Sequence, residues 1–132
     1  MFSKDMLIGI LLSSSKVDFN IERTADSLMG YRVRLKLVVR ADSIFLEGVR
    51  RSLAQHQITC SVKQKESKSR PKPILKIGGI KNLFKLTELV PENLPHAKSE
   101  WVEFRELVGL ISNHKHKTAE GMERIFELKG VI

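Results

Sequence analysis

The segment YRVRLKLVVR, residues 31–40, alternates apolar and cationic residues over most of its length. Because successive side chains of a β-strand point to opposite faces, this pattern predicts a strand with one apolar face. The opposite face is cationic apart from Val38, and its cations are Arg32, Arg34, Lys36 and Arg40. We therefore expect a sheet that packs against helices on one side and presents positive charge on the other.

The remaining periodicities predict a helix before each of two pairs of strands. Alternating patterns predict further strands at residues 16–23, 58–64 and 74–79. Helical spacing and punctuation by Pro and Gly predict helices at residues 5–14, 41–57, 80–90, 98–115 and 119–130. Asp42 or Ser43 is the expected N-cap of the second helix, Thr118 caps the last helix, and Gly130 ends it.

This order of elements predicts an α+β fold. The first seven elements form an αββαββα unit, whose natural packing is one four-stranded antiparallel sheet against the helices. Extra C-terminal helical sequence follows this unit. A length of 132 residues suits one domain, so we expect residues 1–132 to form a single unit. Cys60 is the only cysteine, which excludes an internal disulfide and a thiolate zinc site.

Positive charge is concentrated in the middle of the chain. Residues 31–79 carry twelve basic and three acidic side chains, whereas residues 1–30 sum to −1 and residues 80–132 sum to zero. A cationic surface of this kind attracts a polyanion, which is nucleic acid or, less often, anionic lipid. The third and fourth strands and the turn between them extend this surface with Lys63, Lys65, Lys68, Arg70, Lys72 and Lys76.

A simpler alternative is a solvated sheet face without a partner. Such faces usually mix charges of both signs, whereas the strand at 31–40 has no acidic residue. No apolar run approaches the length of a membrane span, and no cleavage site or Arg-rich leader marks the N-terminal segment. We expect no membrane partner and a protein of a prokaryotic cytoplasm or of a mitochondrion, encoded by the organelle's own genome.

Three parts of the chain resemble the LAGLIDADG homing endonuclease family. LIGILLSSSK, residues 7–16, resembles the helix that names the family, and YRVRLKLVV resembles its second strand. The tail segments KSEWVEF and HKTAEGMERIFELKG resemble the family's closing segments. The matching positions in the last of these are His116, Thr118, Glu120, Gly121 and Ile125.

The resemblance implies a saddle-shaped sheet that lies in a nucleic-acid groove. It also implies that two saddles pair through their motif helices and that one acidic residue at the end of each helix binds magnesium for cleavage. The interface helix carries Leu7, Ile8, Gly9 and Leu11. Lys98 matches a basic residue that active relatives place near the cut site, and we include it among the nucleic-acid-binding residues.

The departures from the family pattern change the expected function. Ser14 occupies the position of the catalytic aspartate, and a neutral hydroxyl is a poor magnesium ligand. We therefore expect no catalytic residue, no metal, no cofactor and no enzymatic activity. Ile8 replaces a small alanine, which is expected to hold a partner helix off and makes a symmetric homodimer doubtful. Asp18 and Glu22 give the first strand an acidic outer face that repels phosphates.

Three functions are compatible with these residues. The favoured one is an inactive homing-endonuclease-like protein that binds structured intron or ribosomal RNA, as a maturase-like factor or a ribonucleoprotein component. The alternative is a duplex-DNA-binding protein or an inactive subunit of a homing endonuclease. The third, a decaying gene, does not explain the concentrated charge. His114 and His116 form a His-x-His pair, which without further ligands does not predict a metal site.

Overall fold

A computed structural model describes residues 1–92 and 99–131. Of Ser99 it describes the backbone alone. Lys98 lies outside the described residues. The helices are α1 (Lys4–Ser14), α2 (Ser43–Ala54), α3 (Ile80–Leu89), α4 (Ser99–Ser112) and α5 (Ala119–Lys129), and a 3-10 turn spans Lys115–Lys117. The strands are β1 (Ser15–Arg23), β2 (Tyr31–Arg40), β3 (Ser61–Lys63) and β4 (Ile74–Gly78). The α+β prediction is confirmed.

The described strands form one antiparallel sheet in the order β1-β2-β4-β3. The long hairpin of β1 and β2 pairs Ser15 with Val39 at one end and Arg23 with Tyr31 at the other. The strand β4 then pairs with the second half of β2, from Lys36 opposite Gly78 to Arg40 opposite Ile74. The middle of the sheet is therefore β2 and β4, and β1 and β3 are its edges.

One face of the sheet packs against the helices. Leu35, Leu37 and Val39 of β2 point to this side and are at most 8% exposed. Each of the five described helices contributes a fully buried side chain to the same core, namely Leu7, Leu46, Leu86, Phe104 and Ile125. Burial of these apolar side chains is the main stabilising contribution. The predicted arrangement of helices on the apolar face is confirmed.

Local signals set most helix boundaries. The backbone N–H of Phe45 donates to Asp42 Oδ1 at 3.0 Å, so Asp42 rather than Ser43 is the N-cap of α2. The N–H of Gly121 donates to Thr118 Oγ1 at 3.0 Å, and Gly130 ends α5 with φ 83°. Both caps were predicted. Ser3, which was not predicted as a cap, accepts through its hydroxyl from the N–H of Met6 at 3.2 Å and caps α1.

The third strand is shorter than the predicted 58–64. The N–H of Ile58 donates to Leu53 O at 3.1 Å, and its side chain is 1% exposed in the helix-side core. The N–H of Thr59 donates to Asn82 Oδ1 at 3.1 Å. The N–H groups of residues 58 and 59 are thus bonded to α2 and α3 and do not pair with β4. Pairing with β4 begins only at Ser61. No helix among the described residues combines the length and apolar character needed to cross a bilayer.

Candidate nucleic-acid interface

The second face of the sheet carries the predicted cations, and we call it the basic face. Its central row is the outward set of β2, which is Arg32, Arg34, Lys36, Val38 and Arg40. The register places Lys16, Asp18, Asn20 and Glu22 of β1 beside this row on one side. On the other side lie Ile74, Lys76 and Gly78 of β4, followed by Ser61 and Lys63 of β3.

Carboxylates of β1 balance part of the central row. Glu22 lies opposite Arg32, and its carboxylate is 3.2 Å from Arg34 Nε. Both side chains of this pair are about half exposed, so the pair contributes at most about 1 kcal/mol. Asp18 lies opposite Lys36. The row of like charges therefore has counter-charges on the neighbouring strand, while β4 adds only the cation Lys76 to this face.

A second carboxylate approaches the basic face from the loop between β3 and β4. Arg40 Nε and Nη2 donate to the two oxygens of Glu66 at 2.8 and 2.9 Å. The hydrogen bonds of this pair, together with its opposite charges, lower the pKa of Glu66 and raise that of Arg40. Arg70 Nη1 lies 3.7 Å from the same carboxylate. The sequence offered no sign of this pair, because its partners are separated by 26 positions.

Two apolar side chains are buried on the basic face. Val38 is 4% exposed and Ile74 is 1% exposed, although neither belongs to the helix-side core. Val38 lies between Lys16 and Lys76, and Ile74 lies between Arg40 and Lys63. Long cationic side chains cover apolar neighbours with their methylene stems while the charge stays in water. The basic face therefore has a small apolar floor under its charges.

The predicted cations of the loop are exposed. Lys63 is the last residue of β3, and Lys65, Lys68, Arg70 and Lys72 follow it along the loop to β4. Lys76 is partly buried beside Val38. The fold thus brings the predicted cations of three strands to one face, and the pair of Glu66 with Arg40 and Arg70 holds part of the loop beside that face. Whether they contact nucleic acid stays a prediction.

Hydroxyl groups occupy the end of α1. Ser14 is the last residue of this helix, is exposed, and has its Oγ 3.3 Å from that of Ser13. Ser13 Oγ donates to Gly9 O at 2.7 Å. A carboxylate also reaches this junction, since the N–H of Val17 donates to Glu100 Oε1 at 2.7 Å. Glu100 was not predicted at this place, because only the tertiary fold brings the start of α4 beside β1.

These groups do not fit a magnesium ion. Magnesium is held mainly by carboxylates and water, whereas Ser13 and Ser14 provide neutral hydroxyls. Glu100 is a carboxylate that a described hydrogen bond brings to the junction, where its Oε1 accepts from the N–H of Val17. Within residues 1–92 and 99–131 there is no group of three or more His, Cys, Asp and Glu that could hold a metal. The rings of His114 and His116 lie 6.3 Å apart, and burial lowers the pKa of His116.

Comparison with known proteins gives matches at the level of structure. No family model and no curated protein matches the sequence. The homing endonuclease I-TnaI matches with a TM-score of 0.78 and 20% identity, over 96% of this chain and 85% of that protein. The LAGLIDADG homing endonuclease I-LtrWI, solved bound to target DNA, matches with a TM-score of 0.81 and 18% identity. The chain has the LAGLIDADG homing endonuclease fold.

Other neighbours with this LAGLIDADG fold differ in length. The archaeal intron-encoded homing endonuclease I-Vdi141I, solved in complex with DNA, matches with a TM-score of 0.79 and 17% identity. The match covers 95% of this chain and 78% of that protein. The match to I-LtrWI covers 99% of this chain but only 44% of I-LtrWI. The chain therefore spans most of two of these proteins and less than half of the third.

The burial of helix α1 corrects one expectation from the sequence. Leu7, Ile8 and Leu11 are at most 9% exposed and belong to the core of their own domain, so they do not form an outer surface. Gly9 is exposed, and a Cβ built on it meets nothing within 4 Å. Successive helical residues point about 100° apart, so Ile8 faces inward while Gly9 faces outward. Ile8 therefore does not hold a second helix off, and its branched side chain is no argument against a two-fold pair.

Proposed function

We propose that this chain binds double-helical nucleic acid through the basic face and does not cleave it. The observation that carries the proposal is the row Arg32, Arg34, Lys36 and Arg40, which the sheet holds on one side with Lys63 and Lys76 beside it. Cations fixed on a rigid sheet contact phosphates without a large ordering cost. The acidic side chains of β1 favour contacts on the side of β2, β4 and β3.

The absence of aromatic side chains from the described basic face supports a double-helical ligand. Proteins that bind single strands usually stack successive bases on aromatic side chains. The described residues of β1 to β4 that point to this face include none of the three aromatic types. Recognition then depends on the phosphate backbone and on groove shape.

Structured RNA is the ligand that we propose first. Because Ser14 provides a neutral hydroxyl at the end of α1, we expect the chain to bind its ligand without cleaving it. Binding without cleavage suits a maturase-like factor or a component of a ribonucleoprotein. Duplex DNA is the second candidate. It is favoured by I-LtrWI and I-Vdi141I, which have the same fold and were solved with DNA. Binding to intron RNA would indicate the maturase-like role, and binding to ribosomal RNA would indicate a component of a ribonucleoprotein.

Matched duplexes separate the two candidates. We expect a labelled RNA duplex to bind more tightly than a DNA duplex of the same sequence, and both to bind more tightly than the single strands. Titrations at several salt concentrations measure this directly. Tighter binding of the DNA duplex would replace the RNA proposal by the DNA alternative. Tightest binding of the single strands would contradict the assignment to double-helical nucleic acid.

We predict that the purified protein has no magnesium-dependent nuclease activity. The reason is the hydroxyl donor set at Ser13 and Ser14. A plasmid library incubated with the protein and magnesium or manganese should remain supercoiled, while an active homing endonuclease on its own target serves as the positive control. Nicking by this protein would contradict the prediction. Nicking that persists in Ser14→Ala would show that a carboxylate such as Glu100 acts instead.

A further inference from the structure

The loop of residues 64–73 is folded on itself by short-range hydrogen bonds. The N–H of Glu66 donates to Lys72 O at 2.9 Å, and the N–H of Ser67 donates to Arg70 O at 2.9 Å. The N–H of Arg70 in turn donates to Ser67 Oγ at 3.0 Å. These bonds close a hairpin-like turn, so the backbone that carries the loop cations has a defined course.

The charge of this loop opposes such an arrangement. Residues 63–72 contain five lysines and arginines, Lys63 included. Like charges in a short segment repel one another and favour extended, disordered conformations. Glu66 is the only acidic residue of the sequence between Glu47 and Glu88. A loop of this composition needs an internal anion to remain compact.

The carboxylate of Glu66 is placed to act as this internal anion. Its side chain is 17% exposed, which is much less than the 40% exposure of Arg40 and the 65% exposure of Arg70 around it. Two parallel bonds from Arg40 fix the orientation of the carboxylate. Since Arg40 ends β2 and Ile74 begins β4 opposite it, the carboxylate ties the loop to the rigid centre of the sheet.

We propose that Glu66 is the positioning residue of the nucleic-acid-binding loop. It holds the loop against Arg40, so that Lys65, Lys68 and Lys72 stand at fixed places beside the basic face before a ligand arrives. This ordering reduces the entropy that binding would otherwise cost. Only the naming of a nucleic acid as ligand rests on the proposed function, because the positioning is a property of the free protein.

Limited trypsin digestion of the free protein tests the proposal. The readout is cleavage of the Lys68–Ser69 bond, since the Arg70–Pro71 and Lys72–Pro73 bonds resist trypsin and the Lys65–Glu66 bond is itself altered by the mutation. We expect Glu66→Gln to raise the rate at Lys68–Ser69 about five- to tenfold, because proteolysis follows the population of the open loop. The amide keeps the size of the side chain and removes its charge.

Glu47→Gln is the matched control. Glu47 also accepts two bonds from one arginine, Arg50, but it lies in α2. This control should leave the rate at Lys68–Ser69 unchanged, and both variants should melt near the wild-type temperature. Arg40→Gln should reproduce the effect of Glu66→Gln. Equal rates in wild type and Glu66→Gln would overturn the proposal.

A second arm adds the duplex that binds best, whether RNA or DNA. We expect it to slow cleavage at Lys68–Ser69 in Glu66→Gln more than in the wild type, since phosphates then supply the missing negative charge. A duplex that binds but does not slow cleavage in either protein would contradict the contact between loop and ligand. Absence of any binding would contradict the proposed function, and the rates in the free proteins would still decide the role of Glu66.

Discussion

Replacing Gly121 by alanine is expected to destabilise the domain by about 3 kcal/mol or more, because the new methyl group has no space. A Cβ at this buried position of α5 would lie 1.8 Å from the backbone oxygen of Lys115 and 2.4 Å from its carbonyl carbon. That oxygen accepts from the N–H and the hydroxyl of Thr118 at 3.0 and 2.7 Å. Relief of the clash would therefore disturb both the 3-10 turn and the N-cap of α5.

Thermal or denaturant unfolding measures this effect, and we expect the melting temperature to fall by roughly 10 °C. Gly9→Ala is the matched control, because it makes the same change within a helix where a Cβ meets nothing within 4 Å. There alanine should stabilise α1 by about 1 kcal/mol through its higher helix propensity. Wild-type stability of Gly121→Ala would contradict the close contact between α5 and the turn. Lower stability of Gly9→Ala would indicate that another surface packs against Gly9.

Changing Arg32, Arg34 and Lys36 together to alanine is expected to lower nucleic-acid affinity about 100-fold at 0.1 M salt. The three side chains point away from the helix-side core, so the fold should be retained. Each lost phosphate contact should also reduce the slope of log affinity against log salt by roughly 0.7 to 0.9. Glu22 is released from its pair with Arg34 in this variant, which adds repulsion at the same place.

A second triple variant tests whether the loss of total charge alone weakens binding. It changes Lys4, Arg51 and Lys81 to alanine, and these exposed cations lie on helices. It removes the same total charge and should leave the salt slope nearly unchanged. Leu35→Ala is the control for stability, since loss of this buried side chain should cost about 2–5 kcal/mol. An unchanged slope in the Arg32, Arg34 and Lys36 variant would place the binding surface elsewhere.

The sequence by itself determined the features that depend on neighbours along the chain. The two-residue period of residues 31–40 was enough to assign opposite faces to Leu37 and Lys36, because a strand alternates wherever it is placed. Asp42, Thr118 and Gly130 marked helix ends, since capping bonds join residues only a few positions apart. The order of elements, read with a family resemblance, was enough for the fold.

Only the tertiary structure decided which atoms meet across long stretches of chain. The helix α1 is apolar almost all round, so its pattern did not tell the inward Ile8 from the outward Gly9. The burial of Val38 and Ile74 depends on side chains from several strands. The pair of Arg40 and Glu66 depends on how a loop folds back. Such contacts are set by packing in space, and local periodicity carries no information about them.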